Sequence, residues 1–253
     1  MKADKIIEKD RYNTRSASKG FEQHVDGSRG SSSIPLILRA PYLYFEKVIS
    51  TCLDHKMVVL EIGAGTGEHS GVLVDSGAVV VALDISENSL RLMKRSYLGC
   101  SGLVVSVGDM EFLPFKSHSF DMVTTAGSLS YGDNQRVMRE IWRVLKPDGV
   151  FICVDSLNNS WVYRLNRWWR FKKGDRSLST LKRMPSLELL DAYRDTFGRV
   201  ECRFFGAIAW LMPTLCRIVG PAAASLISDK CDHFFQTRAS AFKFVMLATK
   251  VLR

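Results

Sequence analysis

The sequence lacks the cysteine spacings that mark disulfide frameworks and zinc sites. None of its six cysteines forms a Cys-x-x-Cys pair, and several lie inside apolar runs. We therefore expect reduced core thiols in a cytoplasmic protein. No group of His, Asp and Glu has the spacing of metal ligands either, so we expect no required metal.

Long hydrophobic runs are also absent. The polar, charged N-terminus predicts no signal peptide. The most apolar stretch, 204–228, contains Pro213, Arg217 and Pro221, which makes it a poor candidate for a transmembrane helix. We therefore expect a cytoplasmic protein.

Acidic residues are fewer than basic ones. The 26 Asp and Glu face 35 Lys and Arg, for a net charge of +9. This excess is typical either of a solvated basic surface or of a protein with an anionic partner. That partner could be a phosphate-bearing substrate, a nucleic acid or a membrane surface.

What the sequence does contain is an alternation of short apolar runs and amphipathic stretches. Its 253 residues, 46% of them apolar, suffice for one sizeable core. The alternation predicts an α/β fold, a Rossmann-like doubly wound sheet that is mostly parallel with an antiparallel last strand. The predicted strands cover about 57–62, 79–83, 103–107, 120–124, 150–154, 200–205 and 241–251. The predicted helices cover about 41–52, 67–76, 86–97, 133–145 and 186–197.

A glycine loop follows the first predicted strand. Glu61 ends the apolar run, and Gly63, Gly65 and Gly67 then occupy alternate positions. A dinucleotide site needs Gly-x-Gly-x-x-Gly, but here the third glycine comes one residue early and Glu68 stands in its place. A carboxylate at that position would repel a pyrophosphate, and Glu61 suits a cationic ligand. The loop therefore favours a nucleoside that carries positive charge.

Further motifs follow in a fixed order. Asp84 ends the second strand, where an acidic side chain can accept hydrogen bonds from a ribose. Gly108-Asp109-Met110, Leu113-Pro-Phe115 and Leu145-Lys-Pro-Asp-Gly-Val150 come next. In this order and spacing the set resembles the class I S-adenosylmethionine-dependent methyltransferases, and more narrowly their small-molecule group with a Leu-Pro-Phe motif. The resemblance is close over about 55–155.

This resemblance implies S-adenosylmethionine as cofactor, with a site residue at each matching position. It also implies an N-terminal arm with helices over 1–54 and a methyltransferase domain over 55–253, which carries cap insertions at 157–185 and 206–240. The implied cofactor residues are Glu61, Gly63, Ala64, Gly65 and Gly67 around the methionine, Asp84 at the ribose, Ile85, Asp109 and Met110 at the adenine, and Ala126, Gly127 and Ser128 near the sulfonium.

The sequence identifies no obvious general base. Transfer to an oxygen usually needs one within hydrogen-bond reach, and ligands of open α/β sheets bind at the carboxyl ends of strands. Three residues are candidates: Tyr131 after the fourth strand, Asp155 at the end of the fifth, and His233 in the second insertion. Each also has a plainer interpretation: packing or substrate contact, loop capping, and an ordinary surface or core histidine.

The first insertion is basic and aromatic. The range 161–183 holds eight Lys or Arg against one acid, Asp175, together with Trp161, Trp168 and Trp169. We expect it to cover the acceptor site and either to bind an anionic or lipid-linked substrate, with peripheral contact to the inner face of a membrane, or to present a solvated face.

The expected activity is methyl transfer to a small-molecule acceptor. The acceptor atom is expected to be a hydroxyl of a glycan precursor, a lipid-linked substrate or a natural product; a lipid or quinone is also compatible. One alternative is a non-catalytic S-adenosylmethionine-binding protein, and another is an RNA methyltransferase. Nucleic acid is disfavoured because Thr124-Thr-Ala-Gly127 lacks an Asn-Pro-Pro-Tyr-type motif and no Pro-Cys nucleophile is present. The oligomeric state stays open.

Overall fold

One seven-stranded sheet forms the centre of the molecule. The structure is a computed structural model that describes residues 5, 6, 10, 13, 14, 30–172, 178–235 and 237–252. The strands are β1 (Val58–Ile62), β2 (Val79–Asp84), β3 (Leu103–Val107), β4 (Phe120–Ala126), β5 (Leu145–Ser156), β6 (Gly198–Phe205) and β7 (Lys243–Lys250). Their order is β3-β2-β1-β4-β5-β7-β6. The first five pair in parallel, whereas β7 runs antiparallel to β5 and β6. The predicted fold class is confirmed.

Helices connect the strands, and some of them begin directly after a residue whose side chain caps the first turn. Ser86 and Asp133 accept hydrogen bonds from backbone N–H groups of the first turns that follow them. The helices are α1 (Ala40–Cys52), α2 (Gly71–Val74), α3 (Glu87–Ser96), α4 (Asn134–Val144), α5 (Trp161–Lys172), α6 (Leu178–Lys182), α7 (Leu187–Phe197) and α8 (Met212–Phe234). Short 3-10 turns cover Gly30–Ser33, Leu36–Leu38 and Leu129–Tyr131.

The sheet is covered on both faces, as a parallel sheet requires. Alternate residues of β1 point to opposite sides: Leu60 packs in the cluster that includes α4 and α7, and Val59 in the cluster that includes α1. Phe45 and Ile49 of α1 are almost fully buried there. The N-terminal helix is thus part of the same core as the sheet.

Two predicted elements differ from the structure. The helix expected over 67–76 shortens to α2, because Gly67 has a φ of +83° and the chain turns until Ser70. The strand expected over 150–154 lengthens to β5, which takes in the segment Lys146–Gly149, and a register shift opposite Phe120 and Met122 accommodates that segment. Asp148 takes the left-handed conformation there, with a φ of +60°.

The cysteines are free thiols, but they are not uniformly buried. Cys153 is buried, Cys100 is exposed and the other four are intermediate. The expectation of core thiols therefore holds for Cys153 and is wrong for Cys100, which lies in the turn before β3.

Both predicted insertions are helical. The first contains α5 and α6, and the second contains α8. They leave the same edge of the sheet, because Ser156 of β5 and Phe205 of β6 both pair with Lys243 of β7. In the part of the chain that the structure describes, no helix combines the length and hydropathy needed to cross a bilayer.

Candidate active site

A cavity of about 410 Å³ opens at the carboxyl ends of the central strands. Eleven of the twelve residues predicted to hold the cofactor line it, and Gly67 is the exception. The cavity lies where β1, β2 and β4 end, which is the usual place for a ligand in an open α/β sheet.

The glycine loop is anchored to the end of β2. The N–H groups of Gly63 and Ala64 donate to the carbonyl of Leu83 at 2.8 and 3.1 Å. Gly63 has a φ of +66°, and a Cβ there would lie 2.6 Å from the Cβ of Ser128. Only glycine fits this position, because both the conformation and the close approach exclude a side chain.

Gly67 has a packing role outside the cavity. Its carbonyl accepts a 2.8 Å hydrogen bond from the hydroxyl of Tyr97. A Cβ at Gly67 would lie 2.8 Å from Met93 Cγ, so the glycine lets α3 pack closely against the loop. The structure therefore gives Gly67 an indirect part in shaping the site.

Asp84 organises the loop from the end of β2. Its two carboxylate oxygens accept hydrogen bonds from the N–H groups of Gly65 and Ser86, each at 2.8 Å. Burial raises the pKa of Asp84, and these backbone hydrogen bonds oppose that rise by stabilising the charged form. The carboxylate lines the cavity with further lone pairs available to a ligand.

Glu61 is a buried carboxyl group at the base of the cavity. Its Oε2 accepts a 2.6 Å hydrogen bond from the hydroxyl of Ser70. Burial raises its pKa to about 7, and nearby Asp84 adds to the rise, while the Ser70 hydroxyl lowers the pKa. A cationic ligand beside Glu61 would favour its ionised form.

This raised pKa predicts how stability depends on pH. Between the ordinary value of 4.5 and about 7, the folded protein keeps a proton on Glu61 that the unfolded chain releases. Glu61 therefore makes the free energy of unfolding fall as the pH rises through this window, by on the order of 3 kcal/mol. Glu61→Gln should remove that decline, as urea denaturation at pH 5 and pH 8 would measure. Glu87→Gln, at an exposed position on α3, is the matched control and should keep it.

Asp109 has a partner that the sequence did not reveal. The ammonium of Lys5 contacts Asp109 Oδ1 at 2.6 Å and Glu111 Oε1 at 2.9 Å, and Lys5 is almost fully buried. Asn13 lies nearby, with its Oδ1 accepting a hydrogen bond from the hydroxyl of Ser86. Residues from the N-terminal segment therefore contribute to the adenine end of the predicted site.

Side-chain hydroxyls join the ends of β1 and β4. Thr125 Oγ1 donates to the carbonyl of Ile62 at 2.8 Å and is also hydrogen-bonded to Ser128 Oγ. This pairing holds Ala126, Gly127 and Ser128 beside the glycine loop, where all three line the cavity.

The three candidate bases lie in different environments. Tyr131 lines the cavity at the end of a 3-10 turn. Asp155 is buried and does not line it; its carboxylate accepts hydrogen bonds from the N–H groups of Leu129 and Ser156 at 3.0 and 2.6 Å. His233 is exposed on α8 and does not line the cavity. Asp155 thus supports the turn that carries Tyr131, and neither it nor His233 is placed to touch a ligand there.

His69 also lines the cavity. Its ring stacks on Tyr42 with 4.8 Å between centroids, and the Tyr42 hydroxyl accepts a 3.0 Å hydrogen bond from Lys243. The Nδ1 atom of His69 is buried and has no hydrogen-bond partner among the described residues. Burial lowers the pKa of His69 and Lys243 lowers it further, while Glu68 and Glu46 act in the opposite direction. The imidazole is therefore neutral near pH 7.

The place of His69 in the sequence is itself a signal for its position in the site. His69 follows the last glycine of the loop by two residues, and Thr66, Glu68 and His69 from this stretch all line the cavity. Lys5 gave no sequence signal. Within the described ranges, no group of three or more His, Cys, Asp or Glu side chains could hold a metal ion.

Comparison with known proteins identifies the middle of the chain. Residues 60–153 match the family model described as a methyltransferase domain. A malonyl-[acyl-carrier protein] O-methyltransferase of Methylococcus capsulatus is 31% identical over 133 residues, covering 51% of this chain and 48% of that protein. A demethylmenaquinone methyltransferase of Clavibacter sepedonicus is 39% identical over 97 residues, covering 38% and 40%. The chain spans less than half the length of these curated relatives.

The likeness of folds extends further along the chain. Phosphoethanolamine N-methyltransferase 2 of Haemonchus contortus was solved in complex with phosphomonomethylethanolamine and S-adenosylhomocysteine. It matches with a TM-score of 0.59 at 13% identity, over 84% of this chain and 53% of that one. This likeness shows the fold, and the family-model match over residues 60–153 confirms the family that the motifs predict. The chain carries a class I S-adenosylmethionine-dependent methyltransferase domain.

Proposed function

We propose that the protein transfers a methyl group from S-adenosylmethionine to a hydroxyl of a small-molecule acceptor. The observation that supports this most is the set of residues that line the cavity at the strand ends. The residues suited to a methyl donor share that cavity with two side chains that can handle a proton, His69 and Tyr131.

The residues present fit S-adenosylmethionine. Glu61 would face the positively charged methionine, Asp84 the ribose and Asp109 the adenine amino group. Gly65 and Gly127 both have positive φ, and a Cβ on either would meet no protein atom within 4 Å. Their bare backbone therefore leaves room for a ligand beside the loop.

For this reaction the protein must align the acceptor oxygen with the methyl group and accept the proton of the acceptor hydroxyl. When bound, S-adenosylmethionine supplies an electrophilic methyl group on a sulfonium, and its leaving group is a neutral thioether. Alignment of an acceptor oxygen with that methyl supplies much of the acceleration in such reactions. Neutral His69 can accept the proton of the acceptor hydroxyl. The phenolic O–H of Tyr131 can donate a hydrogen bond and orient the acceptor.

The acceptor that we favour is a small amphiphile that carries a hydroxyl, such as a lipid-linked glycan precursor or a hydroquinone. Two relatives carry names that specify a malonyl-acyl carrier protein and demethylmenaquinone as acceptors. The net charge of +9 and the basic insertion next to the cavity suit an anionic head group on such a molecule.

Release of S-adenosylhomocysteine from an acceptor pool tests this function. The full chain would be incubated with S-adenosylmethionine and, separately, with polyprenyl-linked sugars, nucleotide sugars, hydroquinones and total tRNA. We expect release with one of the small-molecule pools and none with tRNA. Release with tRNA alone would favour an RNA methyltransferase. Cofactor binding without release from any pool would favour a non-catalytic binding protein.

A further inference from the structure

Helix α5 presents its large apolar side chains to solvent. Trp161, Leu165, Trp168 and Trp169 recur at helical spacing and form one face, and each is at least 47% exposed. The opposite face is the one that packs: the Tyr163 hydroxyl is hydrogen-bonded to Gly206 O and Trp210 N, and Arg167 Nη1 donates to the carbonyl of Leu157. The helix is therefore attached by polar groups and offers tryptophans outward.

Helix α8 also presents large apolar side chains to solvent. Its second half buries the small residues Ala224, Ser225 and Ser228 and exposes Leu226 and Phe234, the latter at 76%. Ser225 Oγ donates to the carbonyl of Leu36, which ties this small-residue face to the N-terminal region. A surface helix of a monomer normally does the reverse and turns its apolar stripe to the core.

The two insertions start from one region of the molecule. Both helices leave the edge of the sheet where Ser156, Lys243 and Phe205 are neighbours. The loop between β6 and α8 carries Trp210, which is 54% exposed and whose backbone contacts α5. Of 21 exposed large apolar side chains in the described residues, eleven lie in these two insertions. We refer to the exposed apolar side chains of α5, Trp210 and α8 as the cap surface.

Charge indicates what covers the cap surface. The sequence of α5 contains no acidic residue. Arg164 and Lys172 are exposed beside the tryptophans, with the Lys172 ammonium 5.4 Å from the centre of the Trp168 ring. On α8, Arg217 and Lys230 are exposed, and Asp229 is its exposed acid. Lys173, Asp175 and Arg176 lie outside the described residues. Tryptophan flanked by basic residues is typical of helices that lie in the head-group region of an anionic bilayer.

We propose that the cap surface docks the protein on an anionic lipid bilayer, with α5 and the second half of α8 lying in the interface. Docking would bring the cavity, which opens at the same edge of the sheet, close to acceptors that reside in the membrane. This consequence rests on the proposed function, whereas docking itself does not depend on methyl transfer.

Vesicle binding of the full chain tests the proposal without any turnover. The probes are vesicles of phosphatidylcholine alone and vesicles in which about a third of the lipid is phosphatidylglycerol. We expect sedimentation with the anionic vesicles at low salt, and loss of it as salt screens the basic groups. Four of the five tryptophans lie on the cap surface, so their emission should shift to the blue on binding.

Substitutions on the cap surface test which side chains contact the bilayer. The double variant Trp161→Ser, Trp168→Ser should weaken binding to the anionic vesicles by roughly tenfold or more, because the buried apolar area is lost. Leu226→Ser with Phe234→Ser, in the second half of α8, should weaken it as well. The control is Leu98→Ser, since Leu98 is 80% exposed between α3 and β3 at the opposite edge of the sheet. It should bind as the unchanged protein does.

Two outcomes would overturn the proposal. One is the absence of binding to anionic vesicles at low salt. The other is a dimer in solution that the tryptophan variant dissociates while vesicle binding is unchanged, as light scattering would show. That result would assign the cap surface to a second copy of the chain. Neither outcome would alter the release of S-adenosylhomocysteine from a water-soluble acceptor, so failure of docking is distinguishable from failure of the proposed function.

Discussion

Replacing Asp84 by alanine should weaken the binding of S-adenosylmethionine by about ten- to a hundredfold, equivalent to about 1.5–3 kcal/mol. The carboxylate would lose its proposed hydrogen bonds to the ribose hydroxyls. It would also release the N–H groups of Gly65 and Ser86, which hold the glycine loop in position. Both losses act on the same ligand, so the effect should be among the largest that a single substitution produces here.

Calorimetric titration with S-adenosylhomocysteine measures this loss. Asp84→Asn keeps one carbonyl oxygen as an acceptor and should fall between the alanine variant and the unchanged protein. Asp54→Ala removes an exposed carboxylate far from the cavity and is the matched control. An unchanged dissociation constant in Asp84→Ala would refute the ribose assignment. A thermal unfolding curve for each variant separates a local loss of contacts from global destabilisation.

Replacing His69 by glutamine should slow turnover by about a hundredfold or more, the range typical of a lost general base. Glutamine keeps a polar side chain in the cavity but cannot take up a proton. The dissociation constant of the cofactor should stay nearly constant, because the proposed role of His69 is toward the acceptor. The expected result is therefore a fall in kcat with little change in cofactor binding.

The dependence of turnover on pH is an independent test of His69 as the general base. Turnover of the unchanged protein should fall as the pH drops through the lowered pKa of His69, because protonation removes the base. The groups that act on this pKa are Glu68, Glu46 and Lys243, besides burial itself. His69→Gln should lose the acidic limb of the profile. His55→Gln, at an exposed histidine, is the control and should retain both rate and profile.

Tyr131→Phe distinguishes the two side chains that share the cavity. If Tyr131 orients the acceptor through a hydrogen bond, the variant should show a moderate loss of turnover and keep the acidic limb of the profile. A loss as large as that of His69→Gln, with the limb abolished, would assign the proton transfer to Tyr131. Normal turnover in His69→Gln would exclude His69 as the base.

The cofactor side of the site was predictable because its determinants are local. Each predicted residue lies at or just after the end of a strand, and parallel strands bring their carboxyl ends to one edge. Asp84 illustrates this: the apolar run before it predicts a strand, and the pairing of β1 with β2 places it beside Gly65. Gly67 departed from the pattern because a glycine motif does not distinguish contact with a ligand from close packing against a helix.

The sequence by itself determined the fold class and the family, because periodicity and short motifs encode strands, caps and strand-end residues within a few positions. It also predicted the residues of a methyl-donor site, and eleven of those twelve line one cavity. Only the tertiary structure showed that His69 lines the cavity and which residues surround it. Tyr42 and Lys243 meet beside His69 although they are 201 positions apart, and Lys5 reaches Asp109 across 104. The tertiary structure also decided which faces of α5 and α8 point to solvent. Helical spacing shows which residues share a face, but only the packing of the opposite face shows that the tryptophans point outward.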